Sequence, residues 1–210
     1  MSERPTIECK PNGPYLVKNL DDLKDARSDP ITAKPMMALC RCGGSSNKPF
    51  CDGTHNKNGF SDARQSDPSA DKVENYRARG ITIHDNRALC AHAGRCTDGL
   101  PLVFKYRQEP WIDAAAGTME EIIEVIRRCP SGALSYTLDE AEEAVPPGTP
   151  SITVSKDGPY EVMGDIQLLA QTSGEGASTE RYTLCRCGGS KNKPFCDGTH
   201  WSIGFKDGGE

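Results

Sequence analysis

Sixteen residues near the C-terminus do most to limit what this chain can fold into: Cys185-Arg-Cys187-Gly-Gly-Ser-Lys-Asn-Lys-Pro-Phe-Cys196-Asp-Gly-Thr-His200. They bring three thiols and one imidazole into a short loop, and almost the same sixteen run from Cys40 to His55. Four soft or borderline ligands this close together mark a metal site. Two copies with identical ligand spacing argue against ordinary turn residues. The duplication extends beyond the motif. Ile7 matches Ile152, Gly13-Pro14-Tyr15 matches Gly158-Pro159-Tyr160, and Gly59-Phe60 matches Gly204-Phe205, each 145 residues on and without a gap. Residues 6–60 and 151–205 are thus two copies of one unit. Cys9 answers to Val154, so the unit needs no thiol there, and Cys9 reads as a free or packed cysteine.

A chain of 210 residues with 36% hydrophobic and 6% aromatic content is not expected to build a large apolar core. Small modules with thin cores need a staple, and ten cysteines can supply disulfides or metal ligands. Ligand-like spacing favours metal in a reducing compartment, as does a start, Met1-Ser-Glu-Arg-Pro5, without the apolar segment of a secretory leader. A cytoplasmic location is the expectation. No run approaches the ~20 apolar residues of a membrane span. The net charge of −5 argues against nucleic acid as partner.

The expected fold class is α+β: two small β-rich units in a pseudo-twofold arrangement, with an α+β module between them. In each unit Gly-Pro marks a turn, and Tyr15–Val17, Met37–Cys40, Tyr160–Val162 and Tyr182–Cys185 read as short strands. Residues Asp21–Asp29 and Gln171–Thr179 read as exposed loops. Residues 61–75 read as a linker and Pro146-Pro147-Gly148 marks a second one. The central module, 76–138, offers a strand candidate at Ile81–Ile83, followed by His84, which reads as a surface residue. Thr118-Met-Glu-Glu121 is a capping box before the apolar face Ile122, Ile123, Val125, Ile126, a helix predicted to end at Cys129-Pro130.

Cys40 and Cys42 can reach one iron if Gly43-Gly44 lets the backbone fold tightly. Pro49 stiffens the return of the loop. Asp52 is placed to cap a helix beginning there, which would set Cys51 and His55 on one helix face at i and i+4, near the positive end of the helix dipole. Three cysteines and a histidine are also a structural zinc set, so zinc stands as the alternative.

The stretch resembles the CDGSH iron–sulfur (NEET) family, whose pattern is Cys-x-Cys-x2-Ser/Thr-x3-Pro-x-Cys-Asp-Gly-Ser/Ala/Thr-His. Cys40, Cys42, Ser45, Pro49, Cys51, Asp52, Gly53, Thr54 and His55 match it, as do Cys185, Cys187, Ser190, Pro194, Cys196, Asp197, Gly198, Thr199 and His200. The resemblance covers about half the chain. It implies one 2Fe–2S cluster per unit, the Cys-x-Cys pair on the inner iron and Cys51/His55 or Cys196/His200 on the outer one. Relatives with one motif pair as dimers, so a monomer with an internal pseudo-dimer is expected here.

In the centre, Cys90-x5-Cys96 with a distant Cys129-Pro130 resembles a single-cluster ferredoxin in which Ala93 stands at the middle cysteine position. This resemblance implies a 3Fe–4S cluster on Cys90, Cys96 and Cys129. A 4Fe–4S cluster with His92 as fourth ligand, an exposed non-ligand His92, and a vestigial empty module are the other readings. No Ser-His-Asp set, phosphate loop or dinucleotide fingerprint appears, so no enzyme is expected. One-electron transfer to a redox partner protein is the primary reading. Storage or delivery of 2Fe–2S to an apo-protein, and redox or iron sensing, are the alternatives.

Overall fold

The computed structural model describes residues 3–67, 71–139, 148–170 and 178–208. Its first half contributes β1 (Thr6–Cys9), β2 (Tyr15–Lys18), the two-residue β3 (Leu23–Lys24) and β4 (Met36–Leu39). The centre holds β5 (Val73–Ala78), β6 (Ile81–Asn86), the helices α1 (Arg95–Gly99) and α2 (Met119–Arg127), and β7 (Leu134–Leu138). The last part adds β8 (Ser151–Val154), β9 (Tyr160–Met163), β10 (Gln167–Leu169), β11 (Arg181–Leu184) and a four-residue helix, α3 (Thr199–Ser202).

The two repeat units exchange strands. β1, β2 and β4 form an antiparallel sheet, and β10 joins its edge in parallel, with Ile7 opposite Leu168. β8, β9 and β11 form the counterpart, and β3 joins it in parallel, with Leu23 opposite Ile152. Alternation along β2 turns Tyr15 and Val17 inward and leaves Leu16 and Lys18 half-buried. The segment Asp21–Asp29 is therefore not wholly an exposed loop. Leu23 buries its side chain, and its strand crosses to the other unit. The charged neighbours of Leu23 hid this anchor. Of the other expected loop, 171–177 lie outside the described residues, as do Pro146 and Pro147 of the second linker.

One core serves both units. Ile7, Tyr15, Val17 and Leu39 pack in a single cluster with Ile152, Tyr160, Val162 and Leu184. The thin core expected of each unit is thus pooled. Leu89 and Ala133 of the central module enter the same cluster, which ties that module to the pair.

The central module is a three-stranded antiparallel sheet, β5-β6-β7, with α2 against it. The capping box forms as expected. Thr118 Oγ1 accepts from the Glu121 N–H at 3.3 Å, and Glu121 accepts from the Thr118 N–H at 2.9 Å. Ile122, Val125 and Ile126 are buried, while Ile123 is only partly so. α2 ends at Arg127, earlier than expected, which leaves Cys129 in a turn. β5 starts at Val73, so the linker is shorter than 61–75, and the N–H groups of Gln65 and Ser66 bind Lys191 O at 2.7 and 2.9 Å. His84 touches Asn75 and Thr137 across the sheet, away from the cysteines.

Candidate metal centres

Each repeated loop is held by the same set of bonds. Cys40 N–H donates to Pro49 O at 2.7 Å and Cys51 N–H to Ala38 O at 2.8 Å; Cys185 and Cys196 repeat this on Pro194 and Thr183. Ser45 Oγ donates to Phe50 O, and Ser190 Oγ to Phe195 O, both at 2.7 Å. The Lys48–Pro49 and Lys193–Pro194 bonds are cis. Ser45, Pro49, Ser190 and Pro194 therefore shape the loops.

Asp52 does not act as the expected helix cap, and Asp197 behaves as Asp52 does. Asp52 accepts the Ser46 N–H at 2.8 Å and the Thr54 N–H at 3.0 Å. Asp197 accepts from Lys191 and Thr199 at the same distances. The short helices begin only after a left-handed glycine, Gly53 or Gly198. An aspartate-braced turn, rather than a helix face, brings each histidine back to its cysteine. Hydrogen bonds from the Thr54 side chain and the Ser46 N–H hold the Asp52 carboxyl well below its ordinary range. Burial pushes Asp197 up, but the Thr199 and Lys191 donors outweigh it, and its pKa is also lowered.

The candidate ligands stand two and two. Cys40 and Cys42 sulfurs are 3.9 Å apart and Cys185 and Cys187 sulfurs 3.7 Å. Cys51 Sγ lies 3.4 Å from His55 Nδ1, and Cys196 Sγ 3.3 Å from His200 Nδ1. Two thiolates on one tetrahedral metal with ~2.3 Å bonds are about 3.8 Å apart. Each pair therefore fits one metal. Among the described residues, no three His, Cys, Asp or Glu side chains converge on a single ion. N–H groups of Gly44, Gly53 and Gly189 point at Cys42, Cys51 and Cys187 sulfurs at 3.4 Å, donors suited to an anionic cluster.

Four further residues build the sites. Tyr15 Oη donates to Cys185 O and Pro194 O at 3.1 and 3.0 Å, and Tyr160 Oη to Cys40 O and Pro49 O, both at 2.9 Å. Each unit's tyrosine thus holds the other unit's ligand loop, and the two rings meet edge to face. Arg41 and Arg186, the middle residues of the Cys-x-Cys pairs, are buried against Tyr15 and Tyr160 and paired with Asp62 and Asp207. They fasten the backbone of each Cys-x-Cys pair, Arg41 through Lys10 O at 3.2 Å and Arg186 through Ser155 O at 2.7 Å. The sequence carried a signal for both, the doubled Gly-Pro-Tyr and Cys-Arg-Cys, without showing that one reaches across to the other unit. Gly43 and Gly188 have positive φ as the tight fold requires. A Cβ on either would lie 2.6 or 2.8 Å from the carbonyl of Cys187 or Cys42, so the loops also abut.

The central thiols share a cavity of about 650 Å³ lined by Cys90, Cys96 and Cys129, and also by Trp201 of the second unit. Ala93 lines it where a middle cysteine would stand. His92 is exposed, donates its N–H to Cys90 Sγ at 3.4 Å, and lays its ring against Gly198. Burial pushes the Cys90 thiol up and Cys96 to about 11. In the second loop, burial takes Cys196 to about 12, whereas the Cys185 thiol holds Cys187 down to about 6. Iron binding must displace the protons of the raised thiols. Cys9 packs at the margin of the shared core.

Comparison with known proteins agrees with this layout. Residues 12–56 and 157–201 match the family described as iron-binding zinc finger CDGSH type, and 76–139 match a divergent 4Fe–4S mono-cluster family. The chain is 36% identical over 61 residues to the uncharacterized protein YjdI of Escherichia coli strain K12, and equally to that of strain O157:H7. The match covers 29% of this chain and 80% of each relative. No solved structure matches. No helix among the described residues is long and apolar enough to cross a membrane. The chain belongs to the CDGSH iron–sulfur family, as an iron–sulfur protein in which two CDGSH units flank a divergent single-cluster ferredoxin-like domain.

Proposed function

We propose that the protein is a non-enzymatic one-electron carrier. Cys40, Cys42, Cys51 and His55 hold one 2Fe–2S cluster, and Cys185, Cys187, Cys196 and His200 hold another. The two-and-two spacing carries this reading, because two metal-sized pairs suit a two-iron cluster better than one zinc ion. Cys90, Cys96 and Cys129 hold a third cluster, 3Fe–4S on three thiolates, or 4Fe–4S if a further group binds the fourth iron. Such clusters supply one-electron couples. The chain's own part is to position the ligands and aim N–H groups at the sulfurs. The reciprocal tyrosine bonds and exchanged strands support a pseudo-twofold relation of units 6–60 and 151–205 about the 76–138 module, so that one chain does what a dimer of single-motif chains would. Its partner is then a soluble redox protein in the cytoplasm.

Cluster delivery is a second reading, favoured by the half-buried Cys51 and His55, through which an apo-protein could reach the outer iron. Iron and sulfide counts with EPR of the oxidised and reduced protein test the cofactor assignment. Two 2Fe–2S signals with histidine character and a third cluster are expected; zinc without sulfide overturns it. Reversible cycling with no colour appearing in an apo-ferredoxin supports the carrier role, and transfer of colour supports delivery.

A further inference from the structure

The two CDGSH loops have glycines at matching places with matching backbones, Gly53 at φ +88° and Gly198 at φ +81°. Their surroundings differ. Nothing lies within 4 Å of a Cβ built on Gly53. A Cβ on Gly198 would lie 2.5 Å from His92 Cδ2, 3.1 Å from Cγ and 3.2 Å from Cβ. The imidazole of the central module is therefore seated on the turn that delivers His200, two residues on. His92 holds a left-handed backbone conformation, φ 54°, which a non-glycine residue adopts at some cost. The same residue donates its N–H to Cys90 Sγ. It thus touches a thiol of the central site with its backbone and the second CDGSH loop with its ring. Arg95 ion-paired with Glu161 at 2.7 Å, and Asn192 Nδ2 donating to Ala88 O at 2.6 Å, fix the same two bodies around this contact.

We infer that His92 is a positioning residue that docks the central cluster loop onto the Asp197–His200 turn, coupling the central site to the second CDGSH turn through a contact that the first CDGSH turn lacks. The inference rests on the cluster-holding reading of the second loop. Its test uses full-length protein whose iron and sulfide have been counted, so failure of that reading shows before the coupling is measured.

Hydrogen exchange reads the coupling directly. The Trp201 and Ile203 amides, bonded to Gly198 O and Thr199 O, report the second turn; Asn56 and Asn58, bonded to Gly53 O and Thr54 O, report the first. His92→Ala should speed exchange at Trp201 and Ile203 about fivefold, the scale of one lost contact, and leave Asn56 and Asn58 unchanged. His92→Phe keeps a flat ring on Gly198 and should restore protection, which a lost metal ligand would not allow. Gly198→Ala should likewise loosen the second turn more than Gly53→Ala loosens the first, since both carry the same φ strain and only one meets the ring. Unchanged exchange in His92→Ala, equal change in both turns, or no rescue by Phe overturns the inference.

Discussion

Residues 40–55 and 185–200 differ only at Ser46 and Lys191, yet their ligands sit in different surroundings. Cys196 is 2% exposed and His200 5%, whereas Cys51 and His55 are half-buried. The local sequence sets the turn, and the turn is the same in both. The neighbours set the solvation. Leu89 and Ala133 of the central module share a core with Phe195, Ala88 binds Asn192, and His92 covers Gly198. The first loop has no such cover over Gly53. Identical ligand sets can therefore be chemically unequal, because burial disfavours charge and slows access of water and chelators.

The largest expected effect would remove the comparison altogether. Both loops carry a candidate iron–sulfur ligand set and share one core through exchanged strands. Removing iron with acid and chelator should therefore abolish the cooperative thermal transition of both units together. Calorimetry checks this. Two separate transitions, or an apo-protein with unchanged melting, would show that the halves fold independently of cluster and of each other.

Next in size is the difference in lability. With a chelator at mildly acidic pH the first site should lose its colour roughly tenfold faster, the scale of ~1.4 kcal/mol of added protection at the second. His55→Cys and His200→Cys variants assign the two phases in the visible spectrum. Equal rates would mean that the burial difference does not reach the outer ligands.

The aspartate braces give a smaller effect. Asp197→Asn should destabilise its turn by about 1 kcal/mol, the net worth of a hydrogen bond, and Asp52→Asn by less, its carboxylate being exposed. Both carboxyls are lowered from the ordinary 3.8, so their stabilisation is fully present above that pH and is lost only as pH falls through the folded values. The penalty should stay flat from pH 8 to 5. A penalty that vanished by pH 6 would point to another titrating group.

Trp201 should matter least. Its ring lies 5.2 Å from that of His200, but it is 65% exposed. Trp201→Ala is expected to change second-site bleaching less than twofold in the same assay, against the larger change from losing the His92 contact. A larger effect from Trp201 than from His92 would place the shield on the indole.

The sequence disclosed the candidate ligand clusters, the repeat and the capping box because each is local. A cysteine spacing, a fixed offset or Thr118 followed by Glu121 needs no knowledge of distant residues. The exchange of β3 and β10 was not legible, since Leu23 stands among charged residues and its partner Ile152 lies in another unit. Tyr15 and Tyr160 were visible as a repeated turn, but their hydrogen bonds cross between units. Asp52 looked like a helix cap because cap and turn use the same side chain, and Gly53 decided between them by turning left-handed. His92 gave no hint of a partner because its contact, Gly198, carries no side chain.

The central claim is that one duplicated motif yields two unequal iron–sulfur sites, and an EPR-monitored redox titration tests it most directly. With a histidine in place of one thiolate on each 2Fe–2S cluster, as proposed, both potentials are expected on the order of −300 to +50 mV, between all-cysteine and two-histidine clusters. Reduction adds negative charge, which the more buried second site accommodates less well. The two 2Fe–2S signals are therefore expected to titrate in two one-electron waves, the lower one shifted only by His200→Cys and the higher one only by His55→Cys. A single common potential, or the lower wave following His55, would contradict the account.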